Sequence, residues 1–229
     1  MAQRMRKKRN FDSRMEALSH LLLAKGAGGI KNMKEAAENY RNLLDFKSIF
    51  GGEKPVSLEI GCGKGGFVCE LAKQNPDEGF LAAEMLSNVI LAAMENADVY
   101  GVDNVRFLCV RAECMQCYIP EKSLDAIYLN FSTPLPKLGY ATQRLTHRRF
   151  LEIYKKLLKK GGKIIQKTDD RDFFDFSLEE MKACGLRLEN VTYDLHEKGN
   201  PSWNIMTEYE KRWVEGGKPI HRVEAIVEE

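Results

Sequence analysis

The chain is expected to fold as a doubly wound α/β domain with a mostly parallel sheet and an antiparallel last strand. Three observations predict this. Short apolar runs at 56–60, 79–84, 105–110, 123–130 and 163–168 alternate with stretches of helical period at 66–74, 87–99, 147–160 and 172–184. That order builds a parallel sheet covered by helices on both faces. A glycine turn, carrying Gly61, Gly63, Gly65 and Gly66, joins the first of these strands to the first helix. The final strands, 186–194 and 219–227, are linked by a loop through Pro201 and a short helix near 206–215. Lacking a full-length crossover, they are expected to pair antiparallel.

Taken in order, the chain opens with Arg4, Arg6, Lys7, Lys8 and Arg9, a run that reads either as a solvated tail or as an arm meeting phosphates. Residues 12–25 place Met15, Leu18, Leu21 and Leu22 at helical spacing, and 33–50 do the same with Ala36, Ala37, Tyr40, Leu43 and Leu44. Residues 1–50 are therefore expected to be a basic arm and a helical extension packed on a main domain at 51–229, one domain overall. The strand 56–60 carries Glu59, and Asn75-Pro76 stops the helix that follows. The strand 79–84 ends in Glu84, and Ser87 is the expected N-cap of the next helix. A third strand and a short helix precede 123–130, which is apolar enough to be central. Pro134 and Pro136 keep the loop 131–146 out of helix. Gly161 and Gly162 are expected to end the helix 147–160.

With 229 residues, 44% of them hydrophobic and 30% charged, the chain has enough for one α/β core with modest extensions. A net charge of +2 excludes a polycation. No apolar run nears the roughly 20 residues that cross a bilayer, and no apolar segment follows the basic N-terminus. A cytoplasmic address, without membrane attachment, is expected. The six cysteines sit in apolar patterns that suit free thiols in a reducing compartment. Cys114 and Cys117 form a CxxC with no second pair or nearby histidine, so no metal is expected.

The chemistry gathers on the turn. Glycines at alternate positions bring the backbone close to a ligand, and a similar turn holds pyrophosphate in dinucleotide-binding domains. Glu59 would repel a pyrophosphate but suits a cation, and S-adenosylmethionine carries both a sulfonium and an α-ammonium. Glu84, ending the second strand 25 residues after Glu59, can accept both ribose hydroxyls. Further polar residues fall at the same strand ends: Arg111 to Glu113, Asn130 with Phe131, Ser132 and Thr133, and Thr168 to Asp170. Arg144, Arg148 and Arg149, around His147, suggest a polyanionic substrate held with steep salt dependence. Thr207, Glu208 and Glu210 could hold a base edge, since a carboxylate accepts the N1–H and N2–H of guanine.

These pieces resemble the bacterial tRNA (guanine-N7)-methyltransferases over nearly the whole chain. The resemblance rests on Arg4-Met5-Arg6-Lys7-Lys8, Leu58 through Gly65, Asn75-Pro76, Glu84 and Leu129 through Ser132. It continues through Pro134, Pro136-Lys137, Arg144-Leu145-Thr146, Lys167-Thr168-Asp169, Met206 through Glu210 and Arg222 through Ala225. It implies a Rossmann-like class I methyltransferase that methylates guanine N7 in tRNA from S-adenosylmethionine, as a monomer or homodimer. Carried over, Glu59, Gly61, Gly63, Gly65, Glu84, Arg111, Ala112 and Asn130 bind the cofactor. Lys137, Arg144, Asp169, Thr207, Glu208 and Glu210 contact the substrate, and Thr133 holds the catalytic position. The family loop reads Phe-Ser-Asp-Pro-Trp-Pro-Lys; here Thr133 replaces its aspartate and Leu135 its tryptophan. Leu138-Gly139-Tyr140 stands for the usual Lys-Arg-His, and Arg111 for an aspartate near the adenosine. The departures leave two other expectations open: a relative that binds cofactor or tRNA without efficient turnover, or a methyltransferase for a different substrate.

Overall fold

The computed structural model describes residues 9–25 and 43–228. Helix α1 (Phe11–Ala17) leads to strand β1 (Leu22–Lys25), then α2 (Phe46–Phe50), β2 (Val56–Ile60), α3 (Gly66–Gln74), β3 (Gly79–Ala83), α4 (Ser87–Tyr100) and β4 (Val105–Cys109). The second half runs β5 (Leu124–Asn130), α5 (Arg148–Leu157), β6 (Leu158–Thr168), α6 (Arg171–Ala183), β7 (Arg187–Thr192), α7 (Glu208–Glu215) and β8 (His221–Ile226). Among the described residues, eight strands form one sheet in the order β1-β4-β3-β2-β5-β6-β8-β7. All pairings are parallel except those of β8, which runs antiparallel between β6 and β7. The order reverses between β2 and β5, and a cleft opens there beyond the carboxyl ends of the strands.

Alternation along the strands divides the core. Leu58, Ile127, Leu129, Ile164 and Val223 pack under α5 and α6 with Phe150, Leu151, Tyr154, Phe174 and Met181. Phe80, Ala82 and Phe107 face the other way, under Val68, Cys69, Ile90, Ala93 and Met94 of α3 and α4. On this second face, Glu59 of β2 and Asn130 of β5 lie one strand apart. Gly65 caps α3 in the left-handed conformation, φ 78°, and a Cβ there would sit 3.0 Å from the Cβ of Ala93. Glycine thus serves both the turn and the close approach of α3 to α4.

The structure corrects the expected elements at several places. Helix 12–25 stops at Ala17, and Leu22–Lys25 instead forms an edge strand parallel to β4, with Leu22 opposite Phe107. Leu21, Leu22, Leu23 and Ala24 satisfy a helical or an extended pattern equally, and the unpaired edge of β4 decides the matter. The segment beyond it, including 33–42 of the expected second helix, lies outside the described residues, as do Arg4, Arg6, Lys7 and Lys8; only Phe46–Phe50 of that helix is described. Asp45 caps this short helix by accepting from the Lys47 and Ser48 amides. Ser87 is the first residue of α4 rather than its cap, because Leu86 holds the cap position and its amide donates to Glu84. Helix 147–160 ends early, at Leu157, and β6 begins at once. Gly161 and Gly162 sit within that strand, where the register with β5 shifts; a Cβ at Gly162 would meet the Lys159 carbonyl at 2.9 Å. They mark a bulge, not a stop.

Candidate active site

The glycine turn is fastened to the tip of β3, with the Gly61 and Cys62 amides donating to the Ala83 carbonyl at 2.8 and 3.1 Å. Gly61, Gly63 and Gly65 all have positive φ. Beside them Glu59, 4% exposed, accepts from Asn130 Nδ2 at 3.0 Å. Among the described residues, Glu59 Oε2, Asn130 Oδ1 and Ser132 Oγ are buried without a hydrogen-bond partner. Buried polar atoms are normally satisfied, so three orphans at one strand switch fit a polar, cationic ligand such as the amino-acid end of S-adenosylmethionine. Burial pushes the Glu59 carboxyl up to about 7, against the opposing pull of Asn130's hydrogen bond and the charge of Lys167. A cavity of about 250 Å³ adjoins Asn130, walled by Phe67, Tyr128, Lys167, Trp203 and Ile205.

Glu84 stands at the next strand end, partly exposed, with Oε1 accepting from the Leu86 amide at 2.9 Å. At the end of β4, exposed Arg111 caps the short 3₁₀ helix Ala112–Cys117, whose first residue, Ala112, is buried. Arg111 Nη2 pairs with Glu113 at 3.3 Å, and Arg149 Nη2 reaches the same Glu113 oxygen at 2.6 Å.

The loop leaving β5 is tightly held. Phe131 and Leu135 adopt left-handed conformations, φ 51° and 49°. Arg144 secures the turn from Nε and Nη2, which donate to the Leu135 carbonyl at 3.4 and 3.2 Å, with its guanidinium over the Phe176 ring. At 8% exposure Arg144 is an internal clasp. Arg148 is likewise engaged, Nη2 lying 2.7 Å from Glu180. Thr133 and Lys137 are exposed on the loop, and the 3₁₀ helix Leu138–Gln143 buries no residue.

Helix α7 begins with a capping box: Thr207 Oγ1 accepts from the Glu210 amide at 3.0 Å, and Glu210 Oε2 accepts from the Thr207 amide at 3.3 Å. Glu210 is fully buried, its Oε2 2.6 Å from Lys167 Nζ. Its Oε1 accepts from His196 Nε2 at 2.9 Å and from Asn204 Nδ2 at 2.7 Å. Burial raises the Glu210 carboxyl, but Lys167's charge and hydrogen bond outweigh this and hold it below its usual value. Glu210 thus points into the fold toward Lys167, and the Thr207 side chain faces the first turn of its own helix.

Glu208 does stay exposed, 3.8 Å from Lys64 of the glycine turn, and exposed Tyr209 stacks on Phe131. Asp169, at the end of β6, pairs with Lys218 at 3.1 Å. The structure thus gathers Glu59, Asn130, Phe131, Lys167 and the start of α7, with Thr133, Lys137 and Asp169 on the loops leaving β5 and β6. Lys167, named in the sequence only within the stretch Lys167-Thr168-Asp169, was given no role there, although Thr207-x-x-Glu210 carries a legible capping signal.

Comparison with known proteins identifies the family. A family model described as "Putative methyltransferase" matches residues 53–223. A tRNA (guanine-N(7)-)-methyltransferase of Lachnoclostridium phytofermentans is 44% identical over 183 residues, covering 80% of this chain and 86% of the relative. The protein of the same name from Brevibacillus brevis is 38% identical, with 79% and 85% covered. That of Streptococcus pneumoniae is 36% identical, with 86% and 96% covered. Among solved structures, the 16S rRNA methyltransferase KamB is similar in fold alone, at TM-score 0.61 and 14% identity over 82% of this chain and 96% of that one. On the extent and identity of these matches, the chain belongs to the tRNA (guanine-N(7)-)-methyltransferase family.

Proposed function

We propose that the protein transfers the methyl group of S-adenosylmethionine to N7 of a guanine in tRNA, as a cytoplasmic enzyme. The observation that carries this reading is the buried Glu59–Asn130 pair, with its unsatisfied oxygens, beside a glycine turn at the strand switch. When bound, S-adenosylmethionine supplies a methyl group activated by its sulfonium. Glu59 and Asn130 would hold its ammonium, the backbone of the 61–65 turn would lie along its amino-acid end, and Glu84 would accept from its ribose hydroxyls. Arg111 and Ala112 would border the adenine. Guanine N7 has an in-plane lone pair, so the chain need not remove a proton before transfer. Its tasks are to exclude water, orient the purine and favour the positive charge growing on it. Exposed Glu208 and part-buried Asp169, near the edge, suit that last task, while Lys137 suits a phosphate.

The ionisation of Glu59 gives a pH signature. Only the charged carboxylate favours a cation, and its ordinary value is raised by burial to about 7. Cofactor affinity is therefore expected to rise with pH through neutrality, by roughly tenfold from one pH unit below that value to one unit above. Glu59→Gln should bind weakly and flatten the profile. Calorimetry across this range checks both, and an unchanged affinity in Glu59→Gln would remove the assignment. The function itself is tested by transfer of labelled methyl from S-adenosylmethionine to an unmodified tRNA transcript, with Glu59→Gln as the control. No incorporation by the wild type would refute the proposal.

A further inference from the structure

Resting on the tRNA reading above, we propose that Tyr140, with Leu138 beside it, stacks against unpaired bases of the RNA next to the target guanine. Of the arginines expected to grip phosphate on this edge, Arg144 is buried against the Leu135 carbonyl, while Arg148 and Arg149 are exposed but paired with Glu180 and Glu113. What the loop presents beside Lys137 is apolar: Leu138 is 87% exposed and Tyr140 48%. Large apolar side chains held in water beside a site mark a contact surface.

The loop is also preorganised. Pro134 and Pro136 fix φ, Arg144 grips the left-handed Leu135, and the Tyr140 amide donates to the Lys137 carbonyl at 2.9 Å. An aromatic ring carried on such a support loses little entropy on meeting a base, and every base has a face to stack on. The occupant follows from continuity: this loop runs from the end of β5, at the candidate site, to the Arg144 clasp. On the tRNA reading, a strand of RNA whose guanine enters the site lies beside this loop.

The test is the dissociation constant of an unmodified tRNA transcript, measured by anisotropy over a salt series for wild type, Tyr140→Ala, Tyr140→Phe and Lys137→Ala. Tyr140→Ala should weaken binding by about tenfold, Tyr140→Phe should restore it, and the ratio to wild type should not vary with salt, because stacking releases no counterions. The Lys137→Ala ratio should shrink as salt rises. The melting temperature of Tyr140→Ala should match wild type. If wild type binds and Tyr140→Ala binds equally well, the inference fails while the tRNA reading stands. A loss in Tyr140→Ala that Tyr140→Phe does not rescue, or that comes with a lowered melting temperature, also overturns it. Wild type that binds no tRNA removes the reading and the inference together.

Discussion

Glu210→Ala is expected to lower the unfolding free energy by about 3–5 kcal/mol, the usual consequence of stranding one partner of a buried ion pair. Lys167, 3% exposed and already held below its usual value by burial, would be left with only the Ile205 carbonyl at 2.9 Å and the Asn204 amide oxygen at 3.1 Å as acceptors, and would have to stay charged without its partner or give up its proton. His196, Asn204 and the Thr207 amide would lose an acceptor as well. The check is urea denaturation, where the midpoint should fall at constant slope. Replacing both partners, as Lys167→Met with Glu210→Met, should be less damaging than the single changes summed. The pair also has a pH signature. Because the folded carboxyl lies below its ordinary value of 4.5, its stabilisation is present above that value and lost as pH falls through the folded one. A loss below about 1 kcal/mol in Glu210→Ala would mean the network relaxes or fills with water, against the expected range for such a pair.

Thr133→Asp is expected to raise kcat by about 10²–10³-fold, the size of one preorganised electrostatic group. Thr133 is exposed on the pinned loop after β5, at the position where the resembled family carries its aspartate. A carboxylate there would stabilise the positive charge that develops on the purine, while the ground state of neutral guanine gains little. The effect should therefore fall on kcat more than on the KM for tRNA. Cofactor affinity should not change. Equal rates in the two proteins would show that another group, such as Asp169, already fills the role, and Asp169→Asn would then silence both.

The sheet was legible where the sequence alternates cleanly. Val56 to Ile60, followed by glycines, can hardly be anything but a strand feeding a turn, and Glu59 does lie buried beside that turn. Leu22–Lys25 was not legible, because the consecutive apolar residues Leu21 to Ala24 carry no period, and only the free edge of β4 extends them. Gly161 and Gly162 misled for a related reason: glycine serves a helix end and a bulge alike, and the close Lys159 carbonyl that selects the bulge is a tertiary fact. At the site, residue type predicted location but not orientation. Arg144 and Glu210 were placed near the cleft, but burial turns both charges inward, toward the Leu135 carbonyl and toward Lys167. A sequence shows that a charge is near a site; only packing shows which way it is spent.

The central claim concerns one atom of one base. Its most direct test is nucleoside analysis by mass spectrometry of a tRNA transcript incubated with the protein and isotopically labelled S-adenosylmethionine. The account predicts label in 7-methylguanosine, weak for wild type, strong for Thr133→Asp, and lost in Glu59→Gln. Label in any other nucleoside, or none with the wild type, would contradict it.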